Sequence, residues 1–219
     1  MAVYLSVVIP AYNEEKYIAH VVRKAKMHGK VIVVDDGSSD NSVGEAKKAG
    51  ALVIKHAVNS GLGSSLRTGI SEALKMSKND KDIIITLDAD GQHNPDDIPK
   101  FVEKLNQGYD FVIGQRDLSM YPFRKRVGNF VLTKVTNIMT RTYVRDTESG
   151  FRAFRRRALS YMKLKAERYE IAVEMIKEVG RNRIRSANVP IESPLYVKGV
   201  TVIDGVKNMI YLVKVVFSL

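Results

Sequence analysis

The chain has 219 residues, 45% of them hydrophobic and 27% charged, with a formal net charge of +11. That length suits one domain with at most a small appendage, and the balance excludes global disorder. The absence of cysteine excludes a disulfide framework, a thiolate zinc site and a cysteine nucleophile. The N-terminal apolar run "VYLSVVIP" is too short for a signal peptide and stops at Pro10. No run of about 18 uninterrupted apolar residues exists, so no transmembrane helix is expected. The positive charge suits a nucleic acid, a membrane surface or a phosphorylated substrate, and it also serves solubility alone. The patch "RAFRRRALS" (152–160) is denser than solubility requires, and no RNA-binding aromatic signature accompanies it.

In chain order, "YLSVVIP" (4–10), "VIVVD" (31–35), "ALVIKH" (51–56), "DIIITLD" (82–88) and "YDFVIG" (109–114) are near-continuous apolar runs. Such runs predict strands buried on both faces. Between them, 14–28 carries Ile18, Val21, Val22 and Ala25 on one helical stripe and stops at Gly29. Residues 62–78 and 95–107 behave similarly, the latter with Asn94 as N-cap and Pro95 in the first turn. Strand-helix-strand alternation predicts an α/β fold with a mostly parallel, Rossmann-like sheet flanked by helices. Ligands then sit at the carboxyl ends of the strands. Further on, 124–142 and 167–180 read as helices, and 150–156 and 183–191 as strands. From Asp204, the residues Val206, Met209, Ile210, Val213, Val216 and Phe217 recur at helical spacing, with Lys207 and Lys214 interspersed. This tail suits a helix on a membrane interface or one closing the core.

The strand ends carry the polar chemistry. "PAYNEE" (10–15) offers Tyr12 for stacking and Glu14 in a helix's first turn. "DDGSSD" (35–40) places Asp35 and Asp36 where acids grip ribose hydroxyls or base N–H groups, or simply cap a turn. "NSGLGSSLRTG" (59–69) opens a helix with Gly61 and Gly63, a turn that lets a nucleotide approach a positive helix end. Its spacing is neither a Walker A loop nor a dinucleotide fingerprint. Gly63 and Arg67 are counted with this nucleotide side. "LDADGQHN" (87–94) ends the fourth strand with Asp88 and Asp90, two apart and so expected on one strand face. Hard oxygen ligands at that spacing suit Mg²⁺ or Mn²⁺, which would offset their repulsion and hold a diphosphate. His93, beside Asn94 and Pro95, is expected to be a loop histidine. "GQR" (114–116) brings Arg116 to the same rim, and "DTESGFR" (146–152) adds an acid, a turn and a strand.

"SVVIPAYNEE", "VIVVDDGSSD", "LDADGQHNP", "GQR" and "DTESGFR", in this order and spacing, resemble the family 2 glycosyltransferases of the GT-A fold. The resemblance spans about residues 3–215 and is nearest to the dolichyl- and polyprenyl-phosphate sugar synthases. It implies that Pro10, Ala11, Tyr12 and Glu14 line a nucleoside pocket and that Asp36 contacts base or ribose. It places Asp88 beside nucleotide and metal, and Asp90 and Gln92 on the divalent ion with the donor diphosphate. Arg116 would lie near the transferred sugar and phosphate. The basic cluster Arg124, Lys125 and Arg126 would grip the acceptor phosphate, with Asp146 and Ser149 completing the acceptor side. The family's Tyr-x-x-Gly-x-Ser-Lys-type stretch reads "YVKGVTVIDG" (196–205), with Thr201 for the serine, no lysine after it, and Lys198 before it. Many relatives continue into transmembrane helices past this point, which is not expected here.

The expected organisation is one GT-A domain over 1–219. Residues 1–117 would form the nucleotide-sugar half, 118–203 the acceptor half and 204–219 an amphipathic helix. The expected reaction is metal-dependent, inverting transfer from GDP-mannose, UDP-glucose or UDP-GlcNAc to a lipid phosphate. The catalytic set would be Asp88, Asp90, Arg116 and Asp146, with Mg²⁺ or Mn²⁺ as cofactor. A lipid monophosphate is already anionic and needs no strong base, whereas a sugar hydroxyl would need one, for which Asp146 is the choice. The expected location is cytoplasmic and peripheral on the membrane face. Two other readings compete. A nucleotidyltransferase would carry a Gly-rich loop with Arg and Lys after the first strand, where this chain has "AYNEE". A nucleic-acid-binding module would leave the "DAD" carboxylates unexplained, so no nucleic-acid partner is expected.

Overall fold

The structure, a computed structural model, describes residues 3–119 and 121–193. The tail helix expected over 204–219, the stretch 196–205 and Lys198 lie outside the described residues. Among the described residues, no helix is long and apolar enough to cross a membrane.

Among the described residues, seven strands form one sheet in the order β3-β2-β1-β4-β6-β5-β7. β1 (Leu5–Ala11) lies between β2 (Lys30–Asp35) and β4 (Ile83–Thr86), parallel to both, with Val7 opposite Val31 and Ile85. The apolar runs of these three strands are buried on both faces, as predicted. β1 runs through Pro10, which was expected to end it. Pro10 has the parity of Val8, whose carbonyl accepts from Leu87 N–H at 3.0 Å, so its missing N–H faces the side where β4 has already ended. β3 (Leu52–Lys55) departs from the buried expectation: it is the sheet edge, with both ends exposed.

β6 (Arg152–Arg155) is antiparallel to both neighbours and sits between β4 and β5 (Phe111–Arg116), while β7 (Ser186–Ile191) pairs in parallel with β5. This inserted strand matters for the site. Thr86, the last residue of β4, is paired with Arg152, the first of β6, so the turn entering β6 meets the loop leaving β4.

The helices divide between the two faces. α1 (Ile18–Lys26), α2 (Ser42–Lys48) and α4 (Ile98–Asn106) bury Ile18, Val22, Ala46, Phe101 and Leu105 against one face. A short 3₁₀ turn, Pro95–Asp97, precedes α4, and the Asn94 side chain accepts from Asp96 N–H as the cap. α3 (Leu62–Met76), α6 (Arg156–Tyr161) and α7 (Ile171–Arg181) cover the other face with Leu66, Ile70, Leu159, Met175 and Ile176. α5 (Phe123–Thr140) packs on α7 through Leu132 and Val173 rather than on the sheet.

Candidate active site

A cleft of about 460 Å³ opens where β1, β2 and β4 end and β6 begins. Pro10, Ala11, Tyr12, Glu14, Asp36, Asp88, Asp90 and Arg116 all line it, so most of the residues expected on the nucleotide side converge here. This is the position that a parallel sheet assigns to a ligand.

The acid pair reaches the cleft by a route other than strand alternation. β4 ends at Thr86, and Asp88 and Asp90 lie in the bend that follows. Gly150 makes room for them: a Cβ there would lie 2.3 Å from Asp88 Oδ1. The Thr86 hydroxyl donates to the Gly150 carbonyl at 2.8 Å and fixes the approach. Asp90 Oδ1 accepts from Gln92 N–H at 3.0 Å, and the Gln92 amide donates to Asp90 Oδ2.

These carboxylates crowd one another. Burial, and then the charges of Asp90, Asp40 and Asp88, push Glu14 up to about 7. Burial and the Asp88 charge raise Asp90, and burial raises Asp88. A cluster that resists ionisation is one that a cation would relieve. Asp88, Asp90 and the Gln92 carbonyl oxygen are hard donors that fit Mg²⁺ or Mn²⁺. Among the described residues no three acidic or imidazole groups close on one point. Donor phosphate oxygens and water would then complete a shell.

One consequence concerns stability. Folded Glu14 holds its proton to about 7 instead of 4.5, so the fold binds more protons than the unfolded chain between those values. Glu14's own contribution to metal-free stability should therefore be lost as pH rises from about 4.5 to about 7, a loss that His93, held neutral with its pKa lowered to about 4, offsets below about 6.5 and leaves uncovered above it. Mn²⁺ should restore it at the upper end and do little at the lower. Melting temperatures in chelator and in Mn²⁺ across that range check this, and a metal effect independent of pH would contradict it.

His93 is a correction. It is no surface loop residue: it is 2% exposed, packs on Phe151 and has Nδ1 3.4 Å from Asp88 Oδ2. Burial, followed by the nearby Arg116 charge, lowers it to about 4, so it is neutral at pH 7 and backs Asp88.

Arg116 and Asp146 form a two-point ion pair, Nε to Oδ2 at 2.6 Å and Nη2 to Oδ1 at 2.9 Å. Asn129 of α5 adds a hydrogen bond to Oδ1 at 2.9 Å. Burial opposes the Asp146 charge, but Arg116 prevails and holds the carboxyl below the usual aspartate range. The guanidinium in turn is held firmly cationic. Asp146 is 1% exposed with both oxygens engaged, so the conditional assignment of a general base to it does not match this geometry. Its two bonds hold the guanidinium of Arg116, which lines the cleft.

Other expected residues fall outside the cleft lining. Gly63 faces away because α3 packs against 165–167, where a Cβ on Gly63 would lie 2.3 Å from the Ala166 carbonyl oxygen. Arg67, one turn on, donates to the Lys165 carbonyl at 2.5 Å on the outer side of the sheet edge. Gly61, Leu62, Ser65 and Leu66 face the cleft in their place. Gln92 lies behind Asp90, with Tyr121 Oη 3.5 Å from its carbonyl oxygen. Ser149 is fully buried below the cleft. Arg124, Lys125 and Arg126 form the first turn of α5, beyond Tyr121, whose ring lies 5.8 Å from the Arg116 guanidinium carbon.

Asp36 lines the cleft but mainly serves the protein. It accepts from His56 Nδ1 at 2.8 Å, Ser60 N–H at 3.0 Å and Gly61 N–H at 2.8 Å. Burial works against ionisation, yet these bonds hold its carboxyl below the usual range.

Four contributors were not singled out in the sequence. Arg152 is 2% exposed and lines the cleft with no carboxylate hydrogen bond among the described residues. It donates to the carbonyls of Ser149 and Thr147, each at 2.9 Å, and burial lowers it to about 10. Glu148 lines the cleft with its acidity weakened, chiefly by burial, while Asn129 donates to it at 3.3 Å. Arg168 and Tyr169 reach the cleft from the loop before α7. That loop is anchored by Glu174, which accepts from Lys165 and Ala166 N–H, each at 2.9 Å.

The mostly parallel sheet, ending in a carboxylate-lined, arginine-backed cleft, has the architecture of the GT-A glycosyltransferase fold. Over residues 6–162 the chain matches the family model described as Glycosyl transferase family 2, and it belongs to that family. An uncharacterized protein of Methanocaldococcus jannaschii is 40% identical over 222 residues, covering 94% of this chain and 90% of the relative. The UDP-N-acetylglucosamine–dolichyl-phosphate N-acetylglucosaminyltransferase of Methanococcus voltae is 35% identical over 213 residues, covering 85% and 84%. Among solved structures, Mycobacterium tuberculosis glucosyl-3-phosphoglycerate synthase, complexed with Mn²⁺, UDP and phosphoglyceric acid, superposes with a TM-score of 0.76. It is 20% identical, covering 100% of this chain and 80% of that one, and shares the fold. The protein is thus a glycosyltransferase.

Proposed function

We propose that the protein transfers a sugar from a nucleoside-diphosphate sugar to a dolichyl or polyprenyl phosphate, with inversion at the anomeric carbon. The observation that carries this reading is the cleft itself: Glu14, Asp88 and Asp90, each raised chiefly by burial, and a fixed, cationic Arg116 all line it. The Methanococcus voltae relative, named for transfer to dolichyl phosphate, supports the acceptor class.

Residues 1–117 carry the donor half and 118–203 the acceptor half. Pro10, Ala11 and Tyr12 bind the nucleoside, and Asp36 shapes its wall through the Ser60–Gly61 turn. Asp88, Asp90 and Gln92 would hold Mg²⁺ or Mn²⁺, which neutralises charge developing on the leaving nucleoside diphosphate. Arg116, aimed by Asp146, stabilises phosphate charge in the transition state. A lipid phosphate attacks as an anion, so the engagement of both Asp146 oxygens is no obstacle. Arg124, Lys125 and Arg126 meet that phosphate at the rim, which places the enzyme on a membrane surface.

Glu148 favours a second reading. A cleft carboxylate with weakened acidity can take a proton from a sugar hydroxyl, the chemistry of glycan assembly. Glu148→Gln separates the two. Transfer to an isoprenoid phosphate should stay within about threefold of the parent, whereas removing a general base costs about 100-fold or more. Product analysis with both acceptor types checks this. A loss of that size on the phosphate acceptor would sink the base-free mechanism.

A further inference from the structure

α5 is amphipathic in the reverse sense. The side it buries is largely polar, with Asn129, Thr133, Thr136 and Thr140 beside Leu132. Those side chains hold the acceptor wall: Asn129 bonds Asp146, and Thr133 bonds the Thr147 hydroxyl at 3.0 Å. The opposite side is apolar and open to solvent. Phe123, Val127, Phe130, Val131 and Ile138 stand 75%, 42%, 64%, 45% and 69% exposed. At 100° per residue they fall within one stripe about 100° wide. A surface helix normally buries such a stripe, and an exposed one marks an interaction surface.

We infer that the outer face of α5 is the surface by which the protein docks on an anionic lipid bilayer. Charge decides the occupant. The helix has no acidic residue, and Arg124, Arg126 and Lys134 are exposed on or beside the stripe, with Arg141 just past its end. Lys134 sits mid-stripe, its ammonium 5.9 Å from the Phe130 ring centroid. In a bilayer, such a lysine lays its stem among apolar groups and keeps its head at the phosphate level. A second copy would oppose like charge to like charge across a two-fold axis. The chain's own residues 206–217 bring Lys207 and Lys214 and would do the same. Anionic headgroups complement the face, and each nearby cation adds to the attraction. The helix begins beside Tyr121 and Arg116, so this face would set the cleft rim at headgroup level, where a lipid phosphate ends. The assignment rests on the lipid-phosphate reading for its purpose, but its test does not.

The test is co-sedimentation of the full-length protein with vesicles of phosphatidylcholine containing phosphatidylglycerol, alongside transfer to a short-chain, water-soluble isoprenoid phosphate. Phe130→Asp combined with Ile138→Asp should weaken vesicle partitioning by at least about tenfold. Transfer to the soluble acceptor should be unchanged, and a melting temperature within about two degrees of the parent's reports an intact fold whatever the acceptor. Phe130→Ser with Ile138→Ser, which adds no charge, should weaken partitioning in the same direction. Vesicle binding at the parent level in both variants overturns the inference. So does a parent that sediments as a dimer which the variants dissolve, because a second copy would then cover the face. A parent that binds vesicles through this face but glycosylates no isoprenoid phosphate refutes the acceptor reading and leaves the docking surface standing.

Discussion

Asp90→Ala should abolish metal-dependent sugar transfer, with a loss of about 100-fold or more, while leaving the fold intact. Asp90 sits at the cleft end of the loop after β4, braced by the Gln92 backbone and side chain. It ionises reluctantly because it is buried and faces Asp88. Without a cation its charge is a cost to the fold, so alanine should leave the metal-free melting temperature equal to or slightly above the parent's. Loss of activity with unchanged or raised stability is the signature of a residue kept for binding rather than packing. Transfer assays titrated with Mn²⁺, paired with thermal denaturation in chelator, measure both. Full activity in the variant would remove Asp90 from the metal site.

The Arg116–Asp146 pair should behave in the opposite way. Both groups are largely buried, so removing one leaves the other uncompensated. Asp146→Asn should destabilise by about 3–5 kcal/mol and should also lower transfer about 100-fold, because Arg116 loses the two contacts that aim it. Arg116→Gln should cost similarly. In the double variant the losses should not add, giving an interaction energy of about 1–3 kcal/mol. The pH signature follows from the lowered Asp146 acidity. Its folded pKa lies below the unfolded one, so the pair's contribution is complete above the ordinary aspartate range and disappears as pH falls through the lowered value. Strict additivity in urea denaturation would show that the two residues act separately.

Much of the fold is legible in the sequence because burial leaves a local mark. β1, β2, β4 and β5 are central strands, and their unbroken apolar runs say so. "ALVIKH" carries the same run at the sheet edge, since composition does not report a strand's neighbours. α2, "SVGEAKK", leaves almost no stripe to find, with Ala46 its one buried apolar residue. The antiparallel insertion of β6 is set by partners distant in sequence, and several site features depend on it. It brings Gly150 against Asp88, buries Arg152 behind the cleft and turns Glu148 toward it. The acid pair was legible as chemistry, whereas its geometry was not, because a bend rather than strand alternation aligns it. Gly63 and Arg67 belong to the right helix but the wrong side. The segment 165–167 sets the phase of α3, and no local pattern records that contact. His93 shows the same limit: Asn94 and Pro95 beside it read as a surface turn, yet the turn folds inward onto Phe151.

The most direct measurement is calorimetric titration of the full-length protein with UDP-glucose, UDP-GlcNAc and GDP-mannose, each with Mn²⁺ and with chelator. One of these donors should bind in Mn²⁺ and bind at least about tenfold more weakly in chelator or in Asp90→Ala. Binding that ignores both the metal and Asp90 would contradict the proposed site. Salt-sensitive binding to an oligonucleotide with no response to any nucleotide sugar would contradict the proposed function.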